Sequence, residues 1–180
     1  TYHVGDVLRA GFFVDVTTKL QKPAHKTRFL IASAHAAMMC EIPELCQENP
    51  NVKNWNLCTL HFNSYFKVMD VYEKEGVKQV FLLHIPGAAA FFLGHDETAM
   101  NFVNEATGQE TTLIQMARKS LDEKMKMEVH PRSLDKDFVE RMHHPIGLDE
   151  EYYPVNPNAQ EEPTDGPIAN LSNMIHNLAN

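Results

Sequence analysis

The chain contains 180 residues, of which 43% are hydrophobic and 22% are charged, and this composition is ordinary for a globular domain with a sizeable core. No run of about 18 apolar residues occurs, so the sequence predicts no membrane span. The net charge is −8, and the sequence offers no basic stripe that would neutralise a phosphate backbone. Composition therefore argues against a transmembrane protein and against a nucleic-acid partner.

The cysteines bear on the cellular compartment. Cys40, Cys46 and Cys58 are an odd number in a chain too large to depend on disulfides, and this favours a reducing compartment. We therefore expect a cytoplasmic protein, although a chain that starts at Thr1 is also compatible with a removed signal peptide.

Two strands are predicted in the N-terminal part of the chain. In Phe12–Lys19, apolar side chains alternate with polar ones, a pattern typical of a half-buried strand. The apolar run Arg28–Ala32 predicts the second strand. Ser33–Met39 could extend it, but Ala and Met form helices better than strands, so we expect a helix with Ser33 as its N-cap.

A hairpin is the central predicted feature. Phe66–Tyr72 and Gln79–Ile85 are rich in β-branched and aromatic residues, and the polar loop Glu73–Gly76 joins them. Gln79–Ile85 is apolar on both faces, which predicts a central strand that is covered on both sides. A further strand is predicted at Leu57–Phe62, after a proline- and asparagine-containing loop over residues 43–55.

Three helices are predicted after this hairpin. The first runs from an N-cap at Asp96 to Ala106, and the third begins at Ser133. The second, Thr112–Met127, has the clearest helical spacing of apolar residues. Its predicted buried stripe consists of Leu113, Met116, Ala117, Ser120, Leu121 and Met125. The third helix carries on one face Leu134, Phe138 and Met142.

The order of these elements, strands first and helices later, predicts an α+β fold. The five short strands follow one another through mostly short loops. We therefore expect a mainly antiparallel, meandering sheet with helices packed on one face. Residues 1–147 are assigned to this single α+β domain.

The composition changes in residues 148–180. From residue 149 onward there are six acidic residues and no Lys or Arg, and prolines interrupt the first part. This pattern predicts an extended acidic, proline-rich arm followed by one short amphipathic helix. Such a helix is too short to be stable alone, so we expect it to dock on its own domain, on a second copy or on another protein. The candidate interaction residues are Tyr152, Tyr153, Ile168, Leu171, Ile175 and Leu178.

Two neighbouring segments share one sequence pattern. His130–Phe138 and His144–Tyr152 both read His-Pro-x-x-Leu-Asp-x-acidic-aromatic. Proline disfavours a helical conformation in the preceding residue, and acidic residues favour a helix N-terminus. Both segments are therefore expected to be turns that start a helix, and the alternative is a pair of similar exposed turns that contact one partner.

A candidate ligand site follows the strand Gln79–Ile85. If a helix began at the next residues, its unpaired N–H groups and the small side chains of Gly87 and Ala88 would let an anion approach the backbone. His84 could supply a proton or a hydrogen-bond donor. The other interpretation of the same residues is close packing between a helix and the sheet.

Metal and catalytic motifs are lacking. The ten histidines and three cysteines do not have metal-binding spacing, so we predict no metal ion and no other cofactor. There is no nucleophile elbow and no glycine-rich phosphate loop, and no catalytic residue is assigned. Ser33, Cys40 and Cys58 could each pair with a histidine in space, but no local pattern indicates which.

Three functional hypotheses remain. The first is a non-enzymatic interaction module whose C-terminal segment contacts a protein partner or a second copy. The alternative is a small-ligand-binding protein or an enzyme, with an anion or carboxylate site at the end of strand 79–85. The third is a pH-responsive protein, because ten histidines would offset the charge of −8 near about pH 6.

Overall fold

The computed structural model describes residues 1–85, 101–103, 110–149, 151 and 153–157. The strands in these residues are β1 (Val7–Arg9), β2 (Val14–Thr17), β3 (Thr27–Ala32), β4 (Leu57–Leu60), β5 (Tyr65–Lys74), β6 (Val77–Ile85), β7 (Asn101–Val103) and β8 (Glu110–Thr112). The α-helices are α1 (Pro43–Glu48), α2 (Pro50–Asn54), α3 (Leu113–Met125) and α4 (Lys136–Met142), and short 3-10 helices lie at Met39–Glu41 and Pro131–Leu134. The α+β class is confirmed.

The predicted hairpin is present as β5 and β6, at the centre of a four-stranded sheet with the order β1-β5-β6-β3. Lys74 pairs with Val77, so the turn itself contains only Glu75 and Gly76. Their φ angles are 52° and 76°, and a two-residue turn of the primed type needs such positive values. Because β6 lies between β5 and β3, its prediction as a central strand is confirmed.

The predicted meander is wrong, because the sheet is mixed. β3 pairs with β6 in parallel, β1 pairs with the outer edge of β5, and β2 and β4 form a separate two-stranded sheet. Parallel strands need a long crossover connection, and residues 33–76 supply it between β3 and β6. A strand such as β6, apolar on both faces, is stable only inside a sheet, and β3 provides its second neighbour.

Both faces of the β5–β6 hairpin are covered. One face packs against the β2–β4 sheet in a cluster whose buried residues are Ala10, Val14, Leu60, Phe66, Val68, Val80, Leu82 and Ile146. The other face contacts α3 through Met69, Phe81 and Ala117. The pairing register of β5 shifts between Val68 and Asp70, and both Met69 and Asp70 contact α3. A helix therefore covers one face, and a second sheet covers the other.

The helix predicted over Thr112–Met127 is confirmed, with its observed ends at Leu113 and Met125. Thr112 is the N-cap. Its hydroxyl accepts the backbone N–H of Gln115, and the Gln115 side chain accepts the backbone N–H of Thr112. This reciprocal arrangement is a capping box, which satisfies two donors that the first turn leaves unpaired.

The buried face of α3 differs from the predicted stripe. It consists of Ala117, Leu121 and Met125, spaced by four residues. Leu113 packs against the same core, but Ser120 is exposed, and the prediction that Met116 faces the sheet is wrong, since it is 46% exposed. Met116 precedes Ala117 directly and therefore lies about 100° away around the helix axis.

The helix expected over Ser33–Met39 is wrong. After β3 the chain is extended, and only Met39–Glu41 forms a 3-10 turn. Ala37 forms an isolated antiparallel bridge with Thr59. The two residues exchange backbone hydrogen bonds of 2.8 and 2.9 Å. Pairing with the strand β4 thus overrides the helical preference of Ala and Met.

The loop predicted over residues 43–55 is also wrong, because α1 and α2 occupy most of it. Pro43 and Pro50 stand at the starts of these helices, where a missing N–H group costs nothing. The Asn49 side chain caps α2 by accepting the backbone N–H of Asn51. The prolines therefore start helices here instead of breaking the chain into a loop.

The helix predicted from Asp96 to Ala106 is contradicted at Asn101–Val103. These residues form β7, which pairs antiparallel with β8. The rest of that segment lies outside the described residues. Thr111 and Thr112 are β-branched, which favours the strand conformation on the β8 side of the pair.

The helix predicted to begin at Ser133 is divided into a 3-10 turn and α4. Asp135 separates them, because its side chain accepts the N–H groups of Asp137 and Phe138 and caps α4. Phe138 is buried and makes an edge-to-face contact with Trp55, with ring centroids 5.6 Å apart. Leu134, which was expected on the same face, is exposed.

Among the residues that the structure describes, only the first of the two His-Pro segments starts an α-helix. In the second, the Asp149 carboxylate accepts the N–H groups of Glu151 and Tyr153, as Asp135 does for α4. Leu148 then forms an antiparallel bridge with Pro154. Because Pro154 disfavours a helical conformation in Tyr153, this second segment is a turn and not a helix start.

Candidate functional site

Three aromatic side chains form an exposed cluster at one end of the β2–β4 sheet. Phe13 is 56% exposed and Phe62 is 41% exposed. Their ring centroids are 5.4 Å apart in an edge-to-face arrangement. His61 stacks on Phe62 at 4.3 Å and meets the Phe13 ring at 5.4 Å. We refer to Phe13, His61 and Phe62 as the aromatic patch.

The strand pairing explains why these residues meet. Val14 at the start of β2 pairs with Leu60 at the end of β4. Phe13 precedes β2, and residues 61 and 62 follow β4, so antiparallel pairing brings all three to the same end of the sheet. The aromatic patch is therefore a direct product of the register between two short strands.

The loop after Phe62 is held in place by hydrogen bonds. Asn63 has a φ angle of 63°, and its N–H donates to the carbonyl of Ala10 at 2.9 Å. The guanidinium of Arg9 donates to the Asn63 side-chain oxygen from two nitrogens, at 2.8 and 3.0 Å. Ser64 N–H closes the turn on His61 O at 3.2 Å. The aromatic patch is thus presented on an anchored turn.

A groove of about 690 Å³ adjoins the patch. It lies between the start of β2 and α4 and is lined by Phe12, Phe13, Asp15, Asp137, Glu140, Arg141 and His144. The Arg141 guanidinium lies 3.5 Å from the Asp15 carboxylate. Three carboxylates and one guanidinium line the groove, so it is acidic next to the aromatic rings.

The described part of the C-terminal segment lies beside the same region. Val155 N–H donates to Gly147 O at 3.0 Å. A β-carbon placed on Gly11 would lie 3.0 Å from the Val155 side chain, which shows that the segment passes close to the chain just before Phe12. Tyr153, one of the candidate interaction residues, is 68% exposed. The other candidates, Tyr152, Ile168, Leu171, Ile175 and Leu178, lie outside the described residues.

His84 lies at the carboxyl ends of the parallel strands β3 and β6. Ala32, the last residue of β3, pairs with Leu83, so Ser33 and His84 follow side by side. The Ser33 hydroxyl forms a 2.7 Å hydrogen bond with His84 Nδ1 and accepts the backbone N–H of His35 at 3.1 Å. The structure therefore pairs Ser33 with a histidine, a juxtaposition that the predicted meander could not give.

The surroundings of His84 favour its neutral form. Burial lowers the pKa of His84, and the neighbouring His35 ring, 6.2 Å away, lowers the pKa further. If the neutral ring accepts the Ser33 hydroxyl at Nδ1, its Nε2 carries a proton that can be donated to an anion. Gly87 and Ala88, the other predicted members of this site, lie outside the described residues.

A second groove, of about 650 Å³, is lined mainly by polar and basic residues around α2 and the 3-10 turn Pro131–Leu134. Two of its lining residues, Gln21 and Arg132, each have one buried side-chain atom without a hydrogen-bond partner among the described residues. The Arg132 guanidinium also donates to the carbonyl of Asn54. The groove is lined by the cationic side chains of Lys19 and Arg132 and by the carboxylate of Asp135.

The comparisons with known proteins give no family. No protein-family model matches the sequence, and no curated protein shows a significant match to it. Among the described residues, no group of three or more His, Cys, Asp or Glu side chains is arranged to hold a metal ion, and no helix is long and apolar enough to cross a membrane. Any functional assignment therefore depends on the geometry of the sites described above.

Sequence reasoning missed the aromatic patch, although one signal was available. In the predicted strand Phe12–Lys19, Phe13 falls on the polar face together with Asp15 and Thr17. A single exposed apolar side chain is common on protein surfaces, so Phe13 indicates a contact surface only when its aromatic neighbours are known. The contribution of Phe62 could not be foreseen without the pairing of β2 with β4.

Proposed function

We propose that this protein is a non-enzymatic interaction module and that the aromatic patch is its contact surface for a protein partner. The observation that carries the proposal is the clustering of two exposed phenylalanines and a stacked histidine on an anchored turn. Exposed aromatic clusters beside a polar rim are a feature of protein interfaces, in which a few aromatic residues provide most of the binding free energy.

The adjacent groove indicates the chemistry of the partner. Asp15, Asp137 and Glu140 give it a negative charge that Arg141 only partly offsets. Charge complementarity selects partners and accelerates association. We therefore propose a partner segment that packs one or two apolar side chains against the exposed surfaces of Phe13 and Phe62 and carries Lys or Arg next to them.

A peptide library displayed on phage and selected on the intact protein tests this proposal. We expect the selected peptides to combine aromatic or aliphatic residues with Lys or Arg. Binding should fall by about 30-fold or more in Phe62→Ser and in Phe13→Ser, since such residues contribute about 2 kcal/mol or more. A smaller loss is expected for Glu140→Lys, which changes only the charge.

Val4→Ser is the matched control, because Val4 is as exposed as Phe13 but does not belong to the patch. It should leave binding unchanged. Peptides that bind Phe13→Ser and Phe62→Ser as well as they bind the original protein, or that carry no basic residues, would contradict the proposal.

The hydrogen bond between Ser33 and His84 favours a second candidate function, the binding of a small carboxylate at the ends of β3 and β6. An anion next to the imidazole favours its charged form. Acetate should therefore bind more tightly at about pH 5.5 than at about pH 7.5, and the backbone amide NMR shifts of Ser33 and His35, which both variants below retain, should report it.

His84→Gln should abolish this binding and leave the protein folded. Arg132→Gln is the control, because Arg132 lies in the second groove. If acetate binding depends on Arg132 and not on His84, the anion site lies in the second groove. If acetate changes the NMR shifts of both variants as it does those of the original protein, this candidate function is wrong.

A further inference from the structure

His61 is held in one tautomer within the aromatic patch. Its Nδ1 lies 2.5 Å from the backbone carbonyl oxygen of Phe62. A carbonyl oxygen only accepts hydrogen bonds, so Nδ1 carries the proton that is donated to it. In the neutral imidazole the other ring nitrogen, Nε2, is then a hydrogen-bond acceptor. The aromatic patch is therefore not purely apolar, because it includes one acceptor.

Nothing in the described part of the chain uses this acceptor. Among the described residues, the His61 side chain makes one hydrogen bond, to the carbonyl of Phe62, and otherwise contacts the rings of Phe62 and Phe13. Because His61 is exposed, water solvates Nε2 in the free protein. A partner that covers the aromatic patch displaces this water. If the partner brings no donor of its own, the covered acceptor loses its hydrogen bond, which costs binding free energy.

The best anchor for this surface is an apolar side chain that also carries a donor. Tryptophan has a large aromatic ring, and its only polar group is an indole N–H, which donates and does not accept. A tyrosine hydroxyl both donates and accepts, so it would bring a further acceptor into the contact, and phenylalanine and leucine bring no donor. Tryptophan is also among the residues that most often provide the binding free energy of protein interfaces.

The basic residues of the partner have a better position than Nε2. The carboxylates of Asp15, Asp137 and Glu140 line the adjacent groove. Hydrogen bonds between a charged donor and a carboxylate are stronger than those to a neutral acceptor. Lys and Arg side chains are therefore drawn to the groove, and Nε2 of His61 is left for the apolar anchor.

We propose that the anchor on the aromatic patch is a tryptophan of the partner, whose indole N–H donates to Nε2 of His61. This inference rests on the proposed function and adds to it which apolar side chain is selected and by which residue. His61 is then the specificity-determining residue of the aromatic patch, and Phe13 and Phe62 supply the apolar contact area.

A double-mutant cycle between the protein and a synthetic peptide tests this hydrogen bond. The probe is the acetylated tripeptide amide Arg-Trp-Arg, and its analogue contains 1-methyltryptophan, in which a methyl group replaces the indole hydrogen. Each peptide is titrated into the original protein and into His61→Phe, which keeps an aromatic ring but has no nitrogen, and binding is followed by the backbone amide NMR shifts of Asn63 and Ser64. We expect methylation to weaken binding to the original protein about three- to tenfold, the effect of one neutral hydrogen bond, and to leave binding to His61→Phe unchanged.

His3→Phe is the matched control, because it makes the same substitution at an exposed histidine that lies beside Asp6, outside the aromatic patch and its groove. Methylation of the indole should weaken binding to this variant as much as it weakens binding to the original protein.

Two results would overturn the inference and leave the proposed function standing. The first is an equal effect of methylation on the original protein and on His61→Phe. The second is failure of the tripeptide to bind although phage-selected peptides bind through Phe13 and Phe62. If no peptide depends on Phe13 or Phe62, the proposed function is wrong and the inference falls with it.

Discussion

Asp70 shows how a single side chain on β5 fixes a helix to the sheet. Its carboxylate is buried and accepts two hydrogen bonds from the Arg118 guanidinium of α3, at 2.6 and 2.7 Å. The same guanidinium lies over the Tyr72 ring, 4.6 Å from its centroid. Tyr72 in turn donates its hydroxyl to Asp122 of α3 at 2.9 Å. Three charged residues and one aromatic ring thus connect α3 to β5.

The contribution of this contact can be measured with Asp70→Asn. The substitution preserves the size of the side chain but removes the charge that holds Arg118 in its two-pronged contact. We expect the free energy of unfolding to fall by about 1.5–3 kcal/mol, the range for hydrogen bonds to charged groups, in urea titrations. The partial exposure of Arg118 keeps the effect below that of a fully buried pair.

Asp122→Asn is the control for Asp70→Asn. Asp122 is more exposed and lies 3.7 Å from Lys74, so its loss should cost less than about 1 kcal/mol. Equal losses in the two variants would show that the Asp70–Arg118 contact has no special role in attaching α3.

Residue-level predictions from the sequence succeeded where the pattern was local. The helix over Thr112–Met127 could be predicted because its apolar residues recur at helical spacing within one short segment. Asp70 was placed in a strand, but its partner Arg118 could not be predicted from the sequence. Their contact depends on the register shift in β5 and on where α3 crosses the sheet, and neither leaves a local signal.

At the level of elements, hairpins were predictable and long-range strand pairing was not. β5 and β6 are joined by a two-residue turn, so their pairing follows from adjacent sequence. The parallel pair of β3 and β6 depends on a crossover of more than forty residues, for which periodicity gives no information. The Ser33–His84 contact depends on that pair, which explains why the predicted site of His84, Gly87 and Ala88 did not include Ser33.

The central position of β6 in the sheet leads to a prediction about protein stability. Leu82 is fully buried in the core between the main sheet and the β2–β4 sheet. Leu82→Ala should lower the free energy of unfolding by about 2–5 kcal/mol, because the truncation leaves a cavity between two rigid sheets. Thermal and urea unfolding both measure this loss.

Met116→Ala is the comparison for Leu82→Ala, since sequence spacing places both residues in the core but Met116 is half-exposed in the structure. It should change the free energy of unfolding by less than about 0.5 kcal/mol. A loss below that value in Leu82→Ala would mean that β6 is not central. A large loss in Met116→Ala would mean that the Met116 side chain faces the sheet.

At the scale of the whole molecule, the described part of the C-terminal segment, residues 148–180, is in contact with the domain. Residues Pro154 and Val155 pair with Leu148 and Gly147, and Val155 lies against Gly11, two residues before Phe13. Val155 therefore lies beside the chain that leads into Phe13. The apolar stripe predicted in that segment, Ile168, Leu171, Ile175 and Leu178, needs an apolar surface to cover it.

We predict that this stripe is covered by its own domain or by a second copy, and that the aromatic patch is the surface that covers it when no partner is bound. Two truncations separate the parts of the segment. Deletion of residues 158–180 should lower the melting temperature if the stripe docks on its own domain, or the number of associated chains if it docks on a second copy. In either case it should increase the binding of a hydrophobic dye. Deletion of residues 149–180 should destabilise the protein further, because it also removes the contacts of Pro154 and Val155.

Phe62→Ser in the full chain distinguishes the surface involved. If the stripe docks on the aromatic patch, Phe62→Ser should bind about as much dye as the protein that lacks residues 158–180. Deleting residues 158–180 from the Phe62→Ser variant should then change its melting temperature little. The truncated protein with an intact patch should then bind the selected basic peptides more tightly, because an internal competitor has been removed. If deletion of residues 158–180 leaves the melting temperature, the number of associated chains and the dye binding unchanged, the stripe docks neither on its own domain nor on a second copy. The aromatic patch would then be open to its partner at all times.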